Sequence, residues 1–105
     1  MPSNGSEIDI ARNLRIIQWL KAELLENIST LFKAMLRGSE EYMLEALAGL
    51  IITIYVLARR LGLSFARLEK KVVNLIQMSI SEDHEVEKWY SDLSVLLEHF
   101  SASKR

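Results

Sequence analysis

An all-α fold follows from three observations. The single Pro is residue 2 and Gly occurs only at 5, 38, 49 and 62, so helix breakers are scarce. Apolar residues recur at steps of three and four, without the strict alternation that marks a half-buried strand. Between Glu45 and Arg59-Arg60, the whole of Ala46 to Ala58 consists of Ala, Leu, Gly, Ile, Thr, Tyr and Val. As a helix that stretch spans about 20 Å, short of the ~30 Å hydrocarbon core of a bilayer, so it is expected to be a buried helix and not a membrane anchor. A helix apolar on every side must be covered on every side, which the other helices of so short a chain would not achieve alone. The expectation is a bundle of four or five helices completed by oligomerisation, as a homodimer or a tetramer.

The elements follow in order. Residues 1–6 form a flexible start. Ser6 and Asp9 are placed to cap a first helical pattern, whose stripe runs through Ile10, Leu14, Ile17, Leu20, Leu24, Ile28, Leu31 and Met35 as one long helix or two collinear ones. Arg37-Gly38-Ser39 is a stop and restart: a cation at a helix C-terminus, a glycine for the left-handed cap, and a serine to cap the next helix, with Glu40 and Glu41 in its first turn. That helix is expected over Glu40–Leu61, closed by Gly62. Ser64 then caps a shorter helix from Phe65 to about Met78, with Phe65, Leu68, Val72, Leu75 and Ile76 on its apolar face. Ser79 to Asp83 reads as a loop. A terminal helix over 85–100 carries Val86, Trp89, Tyr90, Leu93, Leu96, Leu97 and Phe100 on one stripe, and 101–105 is a tail. All 105 residues are taken as a single domain.

Composition excludes several functions. Thirteen Lys and Arg balance 14 Asp and Glu, for a formal net charge of -1. No basic run is present to track a phosphate backbone, so nucleic acid is not an expected partner. With no cysteine, disulfides, thiolate catalysis and zinc–cysteine sites are removed together. The amino terminus has neither a basic patch nor an apolar run, and the expected compartment is the cytoplasm. His84 and His99 are far apart, with no ligand spacing around either.

The carboxylates remain. Glu23 and Glu26 stand three apart in the first helical pattern, and Glu40, Glu41 and Glu45 open the second. Carboxylates facing one another across a bundle are how such folds hold divalent metals. As a solvated helix face, Glu23, Glu26, Glu41 and Glu45 need no such role, and Trp89 and Tyr90 are expected to pack rather than to stack on a base. Gly49, inside a helix at a cost of about 1 kcal/mol relative to Ala, is expected to admit a close helix approach.

The runs Leu31-Phe32-Lys33-Ala34-Met35-Leu36-Arg37-Gly38-Ser39, Glu45-Ala46-Leu47-Ala48-Gly49-Leu50 and Leu57-Ala58-Arg59-Arg60-Leu61-Gly62-Leu63-Ser64 resemble the second and third helices of MazG-like proteins. These are all-α nucleoside triphosphate pyrophosphohydrolases, and the resemblance covers roughly Asp9 to Gln77. It implies Mg²⁺ held by an EExxE motif on one helix and ExxD on the next, with a Lys, Asn and Arg pattern contacting phosphates. Aligned on Arg37-Gly38-Ser39, the first motif falls on Glu26, Asn27 and Thr30 and the second on Ala46 and Gly49, so only Glu26 keeps its carboxylate. Glu23 and Glu45 are the displaced candidates for metal ligands beside Glu26. In an antiparallel hairpin centred near Gly38, however, Glu45 is level with Leu31 and Glu26 with Leu50, an axial offset of about 7 Å that makes one shared ion awkward. Lys70 and Asn74 fit the phosphate pattern, while Gln77 stands where Arg is expected.

Two functions follow from the resemblance. One is a catalytically degenerate member, acting as a nucleotide-binding or protein-interaction module. The other is an active Mg²⁺-dependent enzyme that splits a nucleoside triphosphate to the monophosphate and pyrophosphate. The residues name no catalytic base, and they require no cofactor other than Mg²⁺, and that only in an active enzyme.

Overall fold

The computed structural model describes residues 2–82 and 91–103, with side chains from residue 7 to residue 102 of these. Among the described residues the chain is all-α: α1 (Pro2–Arg37), α2 (Glu40–Arg60), α3 (Phe65–Ser81) and α4 (Asp92–Ser103). It divides into two compact units, residues 1–64 and 65–105. The first is the antiparallel hairpin of α1 and α2, and the second packs α3 on α4.

The hairpin is set by its caps. Gly38 takes φ +68°, and the backbone N–H groups of Gly38 and Ser39 donate to the carbonyls of Met35 (3.2 Å) and Ala34 (3.1 Å). This paired arrangement satisfies two carbonyls that the end of α1 would otherwise leave open. Ser39 then caps α2, its hydroxyl accepting from the Tyr42 N–H at 3.4 Å, with Glu40 and Glu41 in the first turn. The far end of α2 repeats the device: Gly62 has φ +84°, and Gly62 and Leu63 donate to Arg59 (3.1 Å) and Ala58 (2.9 Å). One more end carbonyl, that of Arg60, is met from the other helix, because Asn13 Nδ2 donates to it at 3.0 Å. Asn13 therefore fastens the open end of the hairpin as Gly38 and Ser39 fasten the closed end.

The core of the hairpin is narrow and made of small residues. Leu20, Ala34, Ala46, Thr53 and Ala58 are buried, while Ile17, Leu24, Leu31, Leu50 and Leu57 are half-buried. The expected α1 stripe is only partly covered, since Ile10, Leu14, Ile28 and Met35 are exposed. One partner helix shields one face, and α1 starts eleven residues before the point where Asn13 meets the last turn of α2. Along α2, only Ala46, Thr53 and Ala58 are buried; Leu44, Leu47, Ile51, Ile52 and Ile54 are exposed.

Several boundaries differ from the sequence reading. Helix α1 begins at Pro2 and not near Ser6, in keeping with proline's fixed φ and missing N–H, which suit a first helical turn. Helix α3 runs on to Ser81, through residues read as a loop, and the Ser81 hydroxyl donates to the Met78 carbonyl at 2.9 Å. Within α3, Ile76 is buried and Leu68 and Val72 half-buried, but Phe65 and Leu75 are exposed. Helix α4 continues to Ser103, past the expected start of the tail. His84, and the first part of the expected terminal helix with Val86, Trp89 and Tyr90, lie outside the described residues.

Helix α2 is also longer than its apolar middle. With Glu40 to Glu45 and Arg59-Arg60 included it reaches 21 residues, and its most apolar 18-residue window has a mean hydropathy of 1.6 with 17% of the window buried. By length and composition alone, that is enough to cross a membrane.

Candidate functional site

One position from each aligned metal motif, Asn27 from the first and Gly49 from the second, meets the other across the hairpin. Asn27 of α1 is half-buried and points at Gly49 of α2, where a Cβ would lie 2.7 Å from Asn27 Oδ1. Glycine is thus required for this side chain to sit where it does. The Asn27 amide also donates to Thr53 Oγ1 at 3.4 Å, and that hydroxyl donates to the Gly49 carbonyl at 2.7 Å, one turn back along its own helix. Thr53 is buried at 7% exposure, and no buried side-chain polar atom among the described residues lacks a partner. The polar contacts here close on themselves, within and between the two helices.

The carboxylates take other places. Glu26 is exposed, Glu23 half-buried and Glu45 exposed. Among the described residues no group of three or more His, Asp or Glu side chains is arranged to hold a metal. Ala46, aligned with the first acidic position of the second motif, is 2% exposed and has no side-chain oxygen to offer. Mg²⁺ demands near-octahedral oxygen ligands, usually one or two carboxylates with phosphate and water, so the described residues of a single chain do not fit it here. Lys70 and Asn74 are exposed on α3, in the second unit. His99 is exposed on α4, with its ring edge-on to Phe100 at 6.2 Å between centroids.

A groove at the closed end of the hairpin was not foreseen from the sequence. It has a volume of about 310 Å³ and is lined by Thr30, Lys33, Ala34 and Arg37 of α1 and by Tyr42 and Glu45 of α2. Lys33 and Arg37 stand one helical turn apart on one face, beside two hydroxyls, a donor set suited to an anion. The signal in the sequence was the i, i+4 pair of cations just before Gly38, which is equally consistent with cations favoured at a helix C-terminus.

The profile of the MazG-like family matches residues 10–93. No curated protein matches the chain, and no solved structure does. The matched residues take in α1 from Ile10 onward, the whole of α2 and α3 and the start of α4, and the chain belongs to the MazG-like family.

Proposed function

We propose that this chain is a MazG-like protein that binds a nucleotide without hydrolysing it. The observation that carries the reading is the seating of Asn27 in the space left by Gly49. At two of the five positions where the metal-dependent pattern has carboxylates, this chain has a neutral amide and no side chain, packed against each other. Hydrolysis of a phosphoanhydride by a metal-activated water needs the metal to be held, and fold membership alone does not supply that.

Binding is a smaller requirement. The groove beside Lys33 and Arg37 offers two cations and the hydroxyls of Thr30 and Tyr42 to a phosphate chain, with Glu45 in its lining to accept from a base or sugar donor. Lys70 and Asn74, in the second unit, are proposed separately as phosphate contacts on the strength of the family pattern. The cytoplasm is the compartment in which such a ligand is met.

The test is thermal denaturation of the protein with a panel of nucleoside mono-, di- and triphosphates, run with and without Mg²⁺. A ligand present at 100 times its Kd stabilises by about 2.7 kcal/mol. The reading expects stabilisation by at least one nucleotide that is lost in Lys33→Ala/Arg37→Ala, with the nucleotide recovered intact. Conversion of the nucleotide, abolished in Glu26→Ala, would establish the active enzyme instead.

A further inference from the structure

The groove at the closed end of the hairpin belongs wholly to the first unit, and the charges around it alternate in sign along the hairpin axis. Lys33 and Arg37 are its cations and Glu45 its carboxylate. In the register that brings Asn27 to Gly49, Glu45 is level with Leu31, about 3 Å along the axis from Lys33 on the side away from Gly38. Glu26 precedes Lys33 by seven residues, two turns on the same helix face, so it stands about 10 Å from Lys33 in the same direction. On the other side, Glu40 and Glu41 in the first turn of α2 are level with Leu36 and Met35. The two cations are thus bracketed by carboxylates.

Among the described residues none of Lys33, Arg37, Glu26, Glu41 and Glu45 is in an ion pair, so the cations are not spent on the acids around them. One turn apart, Lys33 and Arg37 can converge on a single phosphate. A phosphate monoester carries about −1.5 to −2 at pH 7, which these two side chains match. Each further phosphate in an anhydride chain adds negative charge. Extended toward the middle of the hairpin, such a chain runs past Glu45 and then Glu26; extended toward Gly38, it meets Glu40 and Glu41. Like charges brought together in this way cost affinity. In a metal-dependent site bound Mg²⁺ offsets that repulsion, but no group of three or more acids among the described residues is arranged to hold the ion. The carboxylates that relatives turn to metal binding therefore work here against a long phosphate chain.

We propose that the groove selects a nucleoside monophosphate over the corresponding triphosphate, seating its phosphate on Lys33 and Arg37 without a metal. Resting on the nucleotide-binding reading, this adds which class of nucleotide is bound. The hydroxyls of Thr30 and Tyr42, in the same lining, are left for the remaining phosphate oxygens and the sugar.

Equilibrium dialysis of the full chain in EDTA tests this, with AMP, GMP, CMP and UMP, their four triphosphates, and inorganic phosphate as ligands. At least one monophosphate is expected to bind about tenfold or more tightly than its triphosphate and than inorganic phosphate, and to lose at least about tenfold in Lys33→Ala/Arg37→Ala. In Glu26→Gln/Glu45→Gln the preference is expected to shrink to within about threefold, through tighter binding of the triphosphate. All four positions are exposed, so helix content by circular dichroism should be retained, and the wild-type ratio decides the matter if a variant does not fold. A triphosphate bound as tightly as its monophosphate, inorganic phosphate bound as tightly as the nucleotide, or a preference unchanged in Glu26→Gln/Glu45→Gln would each overturn the proposal while leaving nucleotide binding in place. Failure of every nucleotide to bind, or binding undiminished in Lys33→Ala/Arg37→Ala, would overturn the nucleotide-binding reading with it.

Discussion

Asn27 and Gly49 are fitted to each other: the amide of one fills the volume that a Cβ on the other would take, 2.7 Å from its Oδ1. The effect of a substitution at either position therefore depends on the other. Gly49→Ala in the wild type forces Asn27 to rotate away from Thr53, and is expected to destabilise by about 1 kcal/mol despite alanine's better helix propensity. In an Asn27→Ala background the obstacle is gone, and the same change should stabilise by up to about 1 kcal/mol. Urea denaturation of the four proteins of this double-mutant cycle measures the reversal of sign, and simple additivity would contradict it.

The left-handed glycines at the two ends of α2 make a separate prediction. A Cβ at Gly38 or Gly62 would touch nothing within 4 Å, so the cost of Gly38→Ala or Gly62→Ala is conformational alone. About 1–2 kcal/mol is expected for each, and less for Gly38→Asn, because asparagine tolerates the left-handed region better than alanine. Thermal midpoints of the three variants give the ranking.

At the open end, removing the Asn13 amide leaves the Arg60 carbonyl without its partner across the hairpin. Asn13→Ala should cost about 1 kcal/mol. It should also loosen the last turn of α2 locally, seen as faster hydrogen exchange at the amides of Leu61, Gly62 and Leu63, which close that turn. Unchanged exchange there would show that the cap holds without Asn13.

Ala34 and Ala46 are 3% and 2% exposed, so there is no room beside them for a larger side chain. Ala46→Leu and Ala34→Leu should each destabilise by about 1–3 kcal/mol through overpacking. The exposed Leu36, enlarged to Phe, should change stability by less than about 0.5 kcal/mol. Denaturation midpoints separate these cases.

Much of the hairpin was legible because its signals are local. Gly38, Ser39 and Gly62 act within a turn of themselves, and the register about Gly38 that sets Glu26 level with Leu50 also brings Asn27 to Gly49. Gly49 was read as allowing close approach, and the space it opens holds the Asn27 side chain. Depth of burial was less legible. The stripe through Ile10, Leu14, Ile28 and Met35 shows which residues could be covered, not how many neighbours there are to cover them. The ends of α3 and α4 were missed because serine is neutral enough in a helix to be read either way, and in α3 the Ser81 hydroxyl bonds back to the Met78 carbonyl. The groove at Thr30, Lys33, Arg37, Tyr42 and Glu45 depends on how two helices diverge, which one helix's periodicity does not record.

The account rests on an interhelical contact standing where relatives hold a metal. The most direct test is pyrophosphate release, measured with a large excess of time and protein over a panel of nucleoside triphosphates in Mg²⁺ or Mn²⁺. The account predicts none above the protein-free control; release that disappears in Glu26→Ala and Glu23→Ala would contradict it.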